Sequence, residues 1–327
     1  MTPDTDTAPM DSSAAPSSIS RAEIAAAAQR IVGDVRHTPL LRLRGGEFDI
    51  DCAELWLKLE HLQVGGSFKA RGMFNRMRSQ PVPAAGVVIA SGGNAGIAVA
   101  CAARALGVRC EVFVPEVSSP AKRATLAELG AIVTVGGKGY SDALSASLER
   151  QARSGALLMH AYDQPEVVAG AGTLAAEVEN EFGLPDRALV SVGGGGLIAG
   201  IASWFEDRCR VEALEPELAP TLRRAREAGH PVDVDVSGIA ADSLGARRIG
   251  AIAWQVTQRH VPAAHLLADD AIRAAQKLLW KQLRLAVEPA AALPLAALLG
   301  GQVRPSPHEK VLLVICGANM TTQSLDA

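Results

Sequence analysis

Residues 86–135 read GVVIASGGNAGIAVACAARALGVRCEVFVPEVSSPAKRATLAELGAIVTV. Val87-Val88-Ile89-Ala90 suits a buried strand, and Ala95–Leu106, closed by Gly107, suits a helix with a left-handed terminus. The pattern repeats with a strand at Val108–Val114, a helix from Pro120 to Leu129 closed by Gly130, and a strand at Ala131–Val135. The order is βαβαβ. It implies parallel strands, because each helical crossover returns the chain to the same end of the sheet.

The pattern extends in both directions. Downstream, the spacing predicts a helix near Ser141–Arg153, a strand near Ala156–Met159, a helix over Gly172–Phe182, a strand at Ala188–Val192, a further helix and a strand at Val211–Leu214. Past Glu217 the chain reads as largely helical, with amphipathic stretches at Leu244–Val256 and Asp269–Leu285 before a last buried strand at Val311–Ile315. Upstream, Ser20 and Glu23 form a capping-box pattern ahead of a helix carrying Ile24, Ala27, Ala28 and Ile31 on one face. Residues 1–19 are rich in Ser, Thr, Ala, Pro and Asp and read as a disordered tail. The fold class expected is α/β, with two lobes that are each a mainly parallel sheet flanked by helices. A ligand cleft should lie between them at the carboxyl ends of the strands.

With a formal charge of −3, the chain has no cationic excess to neutralise a phosphate backbone or an anionic lipid surface, so neither nucleic acid nor membrane is expected as a partner. Pro289–Leu299 is apolar but falls short of the roughly 20 residues that cross a bilayer. The N-terminus lacks a secretory pattern. Five cysteines, odd in number and spread among apolar runs, do not form a disulfide framework and point to a reducing cytoplasm. No CxxC or HExxH cluster suggests a transition-metal site.

Four constellations could carry chemistry. Ser67-Phe68-Lys69-Ala70-Arg71-Gly72 places a lysine at the start of an amphipathic helix beside an aromatic ring. It is either a solvated first-turn lysine or a nucleophile whose pKa burial lowers. Ser91-Gly92-Gly93-Asn94-Ala95-Gly96 follows a strand and opens a helix, a turn whose N–H groups can bind carboxylate or phosphate. Gly193-Gly194-Gly195-Gly196-Leu197 is a stronger anion signal of the same kind. Its Gly194, Gly196 and Ala199 also satisfy a dinucleotide fingerprint with Glu215 about 20 residues on, so a nicotinamide-dependent oxidoreductase competes as a reading. Cys316-Gly317-Ala318-Asn319 puts a thiol and an amide at the end of the final strand, where a lone cysteine is usually core.

Taken in order, Lys58-Leu59-Glu60, Gly66–Gly72, Ser91–Gly96, Gly193–Gly196 and Cys316–Asn319 resemble the serine/threonine dehydratase family of fold-type-II pyridoxal-phosphate enzymes, over about His37 to Asn319. The resemblance favours pyridoxal phosphate over NAD. It implies that Lys69 is the Schiff-base lysine, Phe68 packs on one ring face, Ala241 on the other, and Asn94 bonds the ring hydroxyl. Gly193, Gly194, Gly195, Gly196 and Leu197 would hold the phosphate, and Ser91, Gly92, Asn94 and Ala95 the substrate carboxylate. Cys316 would face the ring nitrogen, and Glu288 would supply a supporting carboxylate behind the cofactor contacts. The implied domains are 20–78 with 159–327, holding the cofactor, and 79–158, carrying the carboxylate loop. A homodimer is implied as well.

The activity implied is β-elimination of water from L-serine or L-threonine, giving a 2-oxo acid and ammonia. Gly92 stands where serine racemases carry a second catalytic serine, which demotes racemisation. A β-replacement enzyme is the nearer rival, but Phe68 and Arg71 around Lys69 favour the dehydratases. A non-catalytic binder would more readily have lost Lys69 or Asn94. Glu215 matches one carboxylate of a cation site in relatives, while Thr221 replaces a second, so a structural cation is at most held largely by carbonyls. No regulatory domain is expected after Asn319.

Overall fold

The computed structural model describes residues 19–321. In chain order these form α1 (Arg21–Arg30), β1 (Leu40–Arg44), β2 (Glu54–Lys58), α2 (Lys69–Arg78), β3 (Val87–Ala90), α3 (Asn94–Leu106), β4 (Cys110–Val114), α4 (Pro120–Glu128), β5 (Ile132–Val135) and α5 (Tyr140–Ser154). There follow β6 (Leu157–Leu158), α6 (Pro165–Phe182), β7 (Arg187–Ser191), α7 (Gly196–Phe205), β8 (Arg210–Pro216), α8 (Thr221–Ala228), α9 (Ala251–His260), β9 (Ala263–Leu267), α10 (Asp269–Leu283), α11 (Pro289–Leu299) and β10 (Lys310–Val314).

Two sheets result. The larger has the order β1-β2-β10-β7-β8-β9, parallel throughout except for β1 against β2. The smaller, β5-β4-β3-β6, is wholly parallel. Central strands β3 and β7 are buried at every position, as strands covered by helices on both faces must be. The loops that follow β3, β7 and β10 are the three predicted to carry the site.

Helices α2, α6 and α7 cross where side chains are missing. A Cβ on Gly170 would lie 2.5 Å from Arg71 O, and one on Gly200 would lie 2.5 Å from Gly172 N. This close packing explains why α6 begins at Pro165, seven residues before the predicted start at Gly172. Glycines that weaken helix propensity here permit the helix contact.

Several expectations are corrected. The helix predicted over Leu244–Val256 begins only at Ala251, because the preceding residues are bound to the tetraglycine loop: Gly250 N–H donates to Gly194 O at 3.0 Å. Asp163 then caps α9 by accepting from Ala251 N–H at 2.9 Å and Ile252 N–H at 3.1 Å. Strand β9 interrupts the region read as helical past Glu217. Most of the predicted tail, residues 1–18, lies outside the described residues, but Ile19 is buried in the core and Ser20 forms the expected capping box with Glu23. Among the described residues no helix is long and apolar enough to cross a membrane. All five cysteines are buried and unpaired.

Candidate active site

Lys69 is the first residue of α2, and its position is fixed from two sides. Phe68 N–H donates to Cys316 O at 3.1 Å and Ala318 N–H to Gly66 O at 2.9 Å, so the start of α2 is laced to the chain leaving β10. On the far face, Arg71 is buried completely and spans Glu60 and Glu177, with four contacts between 2.6 and 2.8 Å. Lys58 Nζ joins the same network, donating to Glu177 at 2.7 Å. Two cations and two carboxylates therefore neutralise one another beneath the helix. The Lys58 and Glu60 of the sequence motif hold the frame of the site and do not enter its cavity.

The Lys69 side chain enters a pocket shared with Phe68, Asn94, the tetraglycine loop, Glu288 and Cys316. Its amine donates to Ala161 O at 2.6 Å and lies 5.1 Å from the centroid of the Phe68 ring. Burial penalises the ammonium form and brings its pKa down to about 8, although the Glu288 carboxylate acts in the opposite direction. A lysine in this state is a competent nucleophile and base near neutral pH.

Opposite the amine, Gly193–Leu197 pass from β7 into α7. Their N–H groups have no acceptor among the described residues, as expected at an open helix start. Gly195 has φ +87°, and a Cβ on Gly194 would meet the Tyr162 ring at 2.4 Å. The glycines thus serve both backbone turn and close packing.

The loop after β3 delivers Asn94, whose amide donates to Glu288 Oε1 at 2.9 Å and Oε2 at 3.1 Å. Asn319 Nδ2 donates to Asn94 Oδ1 at 2.7 Å and to Gly65 O at 2.8 Å. Asn94 therefore has one orientation in the cavity. Ser91, Gly92 and Ala95 belong to the same loop without lining the pocket. Cys316 does line it, with its thiol driven well above the ordinary range by burial and by Glu288, and so held neutral.

Two assignments change. Ala241 is not among the lining residues; the turn that contains it, closed by Leu244 N–H onto Ala240 O at 2.9 Å, presents Ser243 and Leu244 to the pocket instead. Glu215 serves as the cap of α8, accepting from Leu222 N–H at 2.7 Å, Arg223 N–H at 2.9 Å and Thr221 Oγ1 at 3.1 Å. Thr221 also donates to Gly193 O at 2.6 Å, so the pair braces the tetraglycine loop. Tyr162, Ser191 and Ser243 were missed by sequence reasoning: each comes from a segment without a glycine run or motif, and only tertiary packing brings it here.

The cavity fits pyridoxal phosphate. It offers a buried amine without an ion pair among the described residues, a row of backbone donors lacking acceptors, and an aromatic side chain and an amide between them. Phe68 and Lys69 would hold the aldehyde end, Gly193–Leu197 the phosphate, and Asn94 and Cys316 the ring edge.

The comparisons with known proteins agree. L-threonine ammonia-lyase of Geobacter sulfurreducens is 37% identical over 83% of this chain and 68% of its own length. Beta-hydroxyaspartate dehydratase of Paracoccus denitrificans is 31% identical over 93% of this chain and 97% of its own. Among solved structures, the threonine deaminase of T.th. superposes with a TM-score of 0.85 at 32% identity, covering 92% of this chain and 99% of that one. Maize serine racemase superposes with a TM-score of 0.88 at 28% identity, covering 94% and 96%. The family described as pyridoxal-phosphate dependent enzyme matches residues 31–317, and with its lysine, donor cradle and cavity in place this chain belongs to that family.

Proposed function

We propose that this ammonia-lyase removes water from a small β-hydroxy amino acid, L-threonine or L-serine, and that Lys69 is its catalytic residue. The single observation that carries the reading is the buried Lys69 amine, with a pKa of about 8, in one pocket with the unbonded N–H groups of Gly193–Leu197 and the neutral Cys316 thiol.

Pyridoxal phosphate, when bound, supplies an aldehyde for the substrate amine and a ring that withdraws electrons from the α-carbon. The protein supplies the rest. Gly193–Leu197 bind the phosphate through backbone N–H groups and the start of α7. Asn94, held by Glu288 and Asn319, orients the ring edge. Ser91, Gly92, Asn94 and Ala95 bind the substrate carboxylate. Lys69 Nζ takes the α-proton as its neutral amine, and hydroxide leaves from the β-carbon. The unsaturated amine that departs hydrolyses to 2-oxo acid and ammonia. Because Cys316 is neutral, it gives the ring nitrogen no anionic partner, and loss of a β-leaving group is favoured over a long-lived carbanion.

In this reading residues 79–158 form the lobe carrying the carboxylate loop, and 20–78 with the described residues from 159 onward form the cofactor lobe, in keeping with the two sheets. A cytoplasmic homodimer completes the proposal, and five unpaired buried thiols suit a reducing compartment. The test is to incubate purified holoprotein with L-threonine, L-serine and threo-3-hydroxyaspartate and follow 2-oxo acid and ammonia. Release of both in equal amounts is expected. Turnover that requires an added sulfur nucleophile would overturn the reading in favour of β-replacement.

A further inference from the structure

One wall of the Lys69 pocket is tied to the other lobe. Residues 240–245 form a tight turn, in which Ser243 N–H donates to Ala240 O at 3.1 Å and Leu244 N–H to the same oxygen at 2.9 Å. The turn is wedged between the two glycine loops. A Cβ added to Gly93 would lie 3.5 Å from Asp242 O, and one added to Gly193 would lie 3.0 Å from Leu244 Cα, while Ser243 and Leu244 line the pocket itself. A shift of this turn therefore opens the pocket along the seam between the loops after β3 and β7.

Asp242 holds the turn from outside. Its carboxylate accepts from Lys122 Nζ at 2.8 Å, and Lys122 belongs to α4, the helix that joins β4 to β5 of the smaller sheet. Among the described residues, the other ion pairs made by residues 79–158, those of Arg109 and Arg150 with Glu111, stay within that lobe. Lys122–Asp242 is thus the ion pair that spans the seam. Local structure gives no reason for either partner. Lys122 is the third residue of α4, at the positive end of the helix where a cation is disfavoured, and no acidic side chain in that first turn offsets it. Asp242 is largely exposed, and among the described residues it caps no helix.

We propose that Lys122 and Asp242 are positioning residues: their ion pair clasps the 240–245 turn to the lobe that carries the carboxylate loop, and its release lets substrate and product pass. The proposal rests on the ammonia-lyase reading and on its division into two lobes. An exposed pair of this kind is weak, and weakness suits the role, because a clasp that opens in every turnover shifts the balance between closed and open pocket by only a few fold.

The experiment compares wild-type holoprotein with Lys122→Gln, Asp242→Asn and the charge-reversed double variant Lys122→Asp with Asp242→Lys, at low salt and at about 1 M salt. Hydroxylamine, a small amine that strips the cofactor aldehyde, reports how often the pocket opens through the rate at which the visible band disappears. At low salt each single variant should lose the band about two- to fivefold faster than wild type, with KM raised by a similar factor, kcat within about twofold and Tm unchanged. Charge reversal should restore both band loss and KM. High salt screens an exposed pair and should bring wild type to the level of the single variants. Single variants that match wild type in band loss and KM would overturn the proposal, as would a reversed pair no better than the singles, or a lower Tm with band loss unmoved. If the wild-type protein releases no 2-oxo acid, the lyase reading fails, and the hydroxylamine rates still decide whether the pair clasps the turn.

Discussion

The side-chain amide of Asn94 donates to both carboxylate oxygens of Glu288, at 2.9 and 3.1 Å, across the two sheets of the molecule. Glu288 is buried, and desolvation raises its pKa while Asn94 and Ser243 act against that rise. Replacing Glu288 by Gln keeps the shape but turns part of the acceptor into a donor facing Asn94. Glu288→Gln is expected to lower kcat/KM by roughly tenfold to a hundredfold, the equivalent of about 1–3 kcal/mol, in a protein that still melts cooperatively. Steady-state kinetics beside a melting curve check it.

Capture of pyridoxal phosphate needs the neutral Lys69 amine. With its pKa at about 8, the rate of cofactor uptake by apoprotein should climb with pH and level off above about 8, where an ordinary lysine would continue to climb. Stopped-flow absorbance measures this directly. Because the folded-state pKa is lowered, the unfolded chain binds more protons than the native one between about 8 and the ordinary value of 10.5, so this group's contribution to stability rises with pH across that window. Lys69→Met apoprotein should accordingly melt higher than wild type at pH 7, while forming no borohydride-sensitive visible band.

A methyl group at residue 194 has no room, since the Tyr162 ring atoms lie 2.4 Å from where it would sit. Gly194→Ala should force the loop or the ring aside at a cost of about 1–3 kcal/mol and release the cofactor during dialysis. Retained absorbance after dialysis would count against the tetraglycine loop as the phosphate cradle.

Removing Arg71 leaves Glu60 wholly buried without its main counter-charge. Arg71→Met should cost about 3–5 kcal/mol in urea unfolding, and Arg71→Lys should recover only part, because an ammonium cannot bridge two carboxylates as the guanidinium fork does. Pairing Arg71→Met with Glu60→Gln should return more stability than Arg71→Lys.

What the sequence made legible follows from what leaves a local trace. Strand β3 is a continuous apolar run, α3 ends in the left-handed Gly107, and the two glycine turns can be recognised because a cradle of backbone donors needs residues without side chains. Where contacts between distant segments decide, the trace vanishes. Residues 244–250 carry a helical pattern, yet the Gly250 bond to Gly194 holds them out of the helix. Gly170 falls outside the predicted helix although it sits inside α6, because the reason for a glycine there is on α2. Tyr162 and Ser243 reach the site from turns whose composition announces nothing. The short strand β9, Ala263-Ala264-His265-Leu266-Leu267, is half-buried and lacks a period that would separate it from a helix end.

Three neighbouring residues do three different jobs: Ala161 O receives the Lys69 amine, the Tyr162 ring covers Gly194, and the Asp163 carboxylate caps α9. Their spacing along the chain is therefore as constrained as their identity. One residue inserted between His160 and Gln164 would shift all three partners out of step together, so this segment should tolerate changes of composition far better than changes of length.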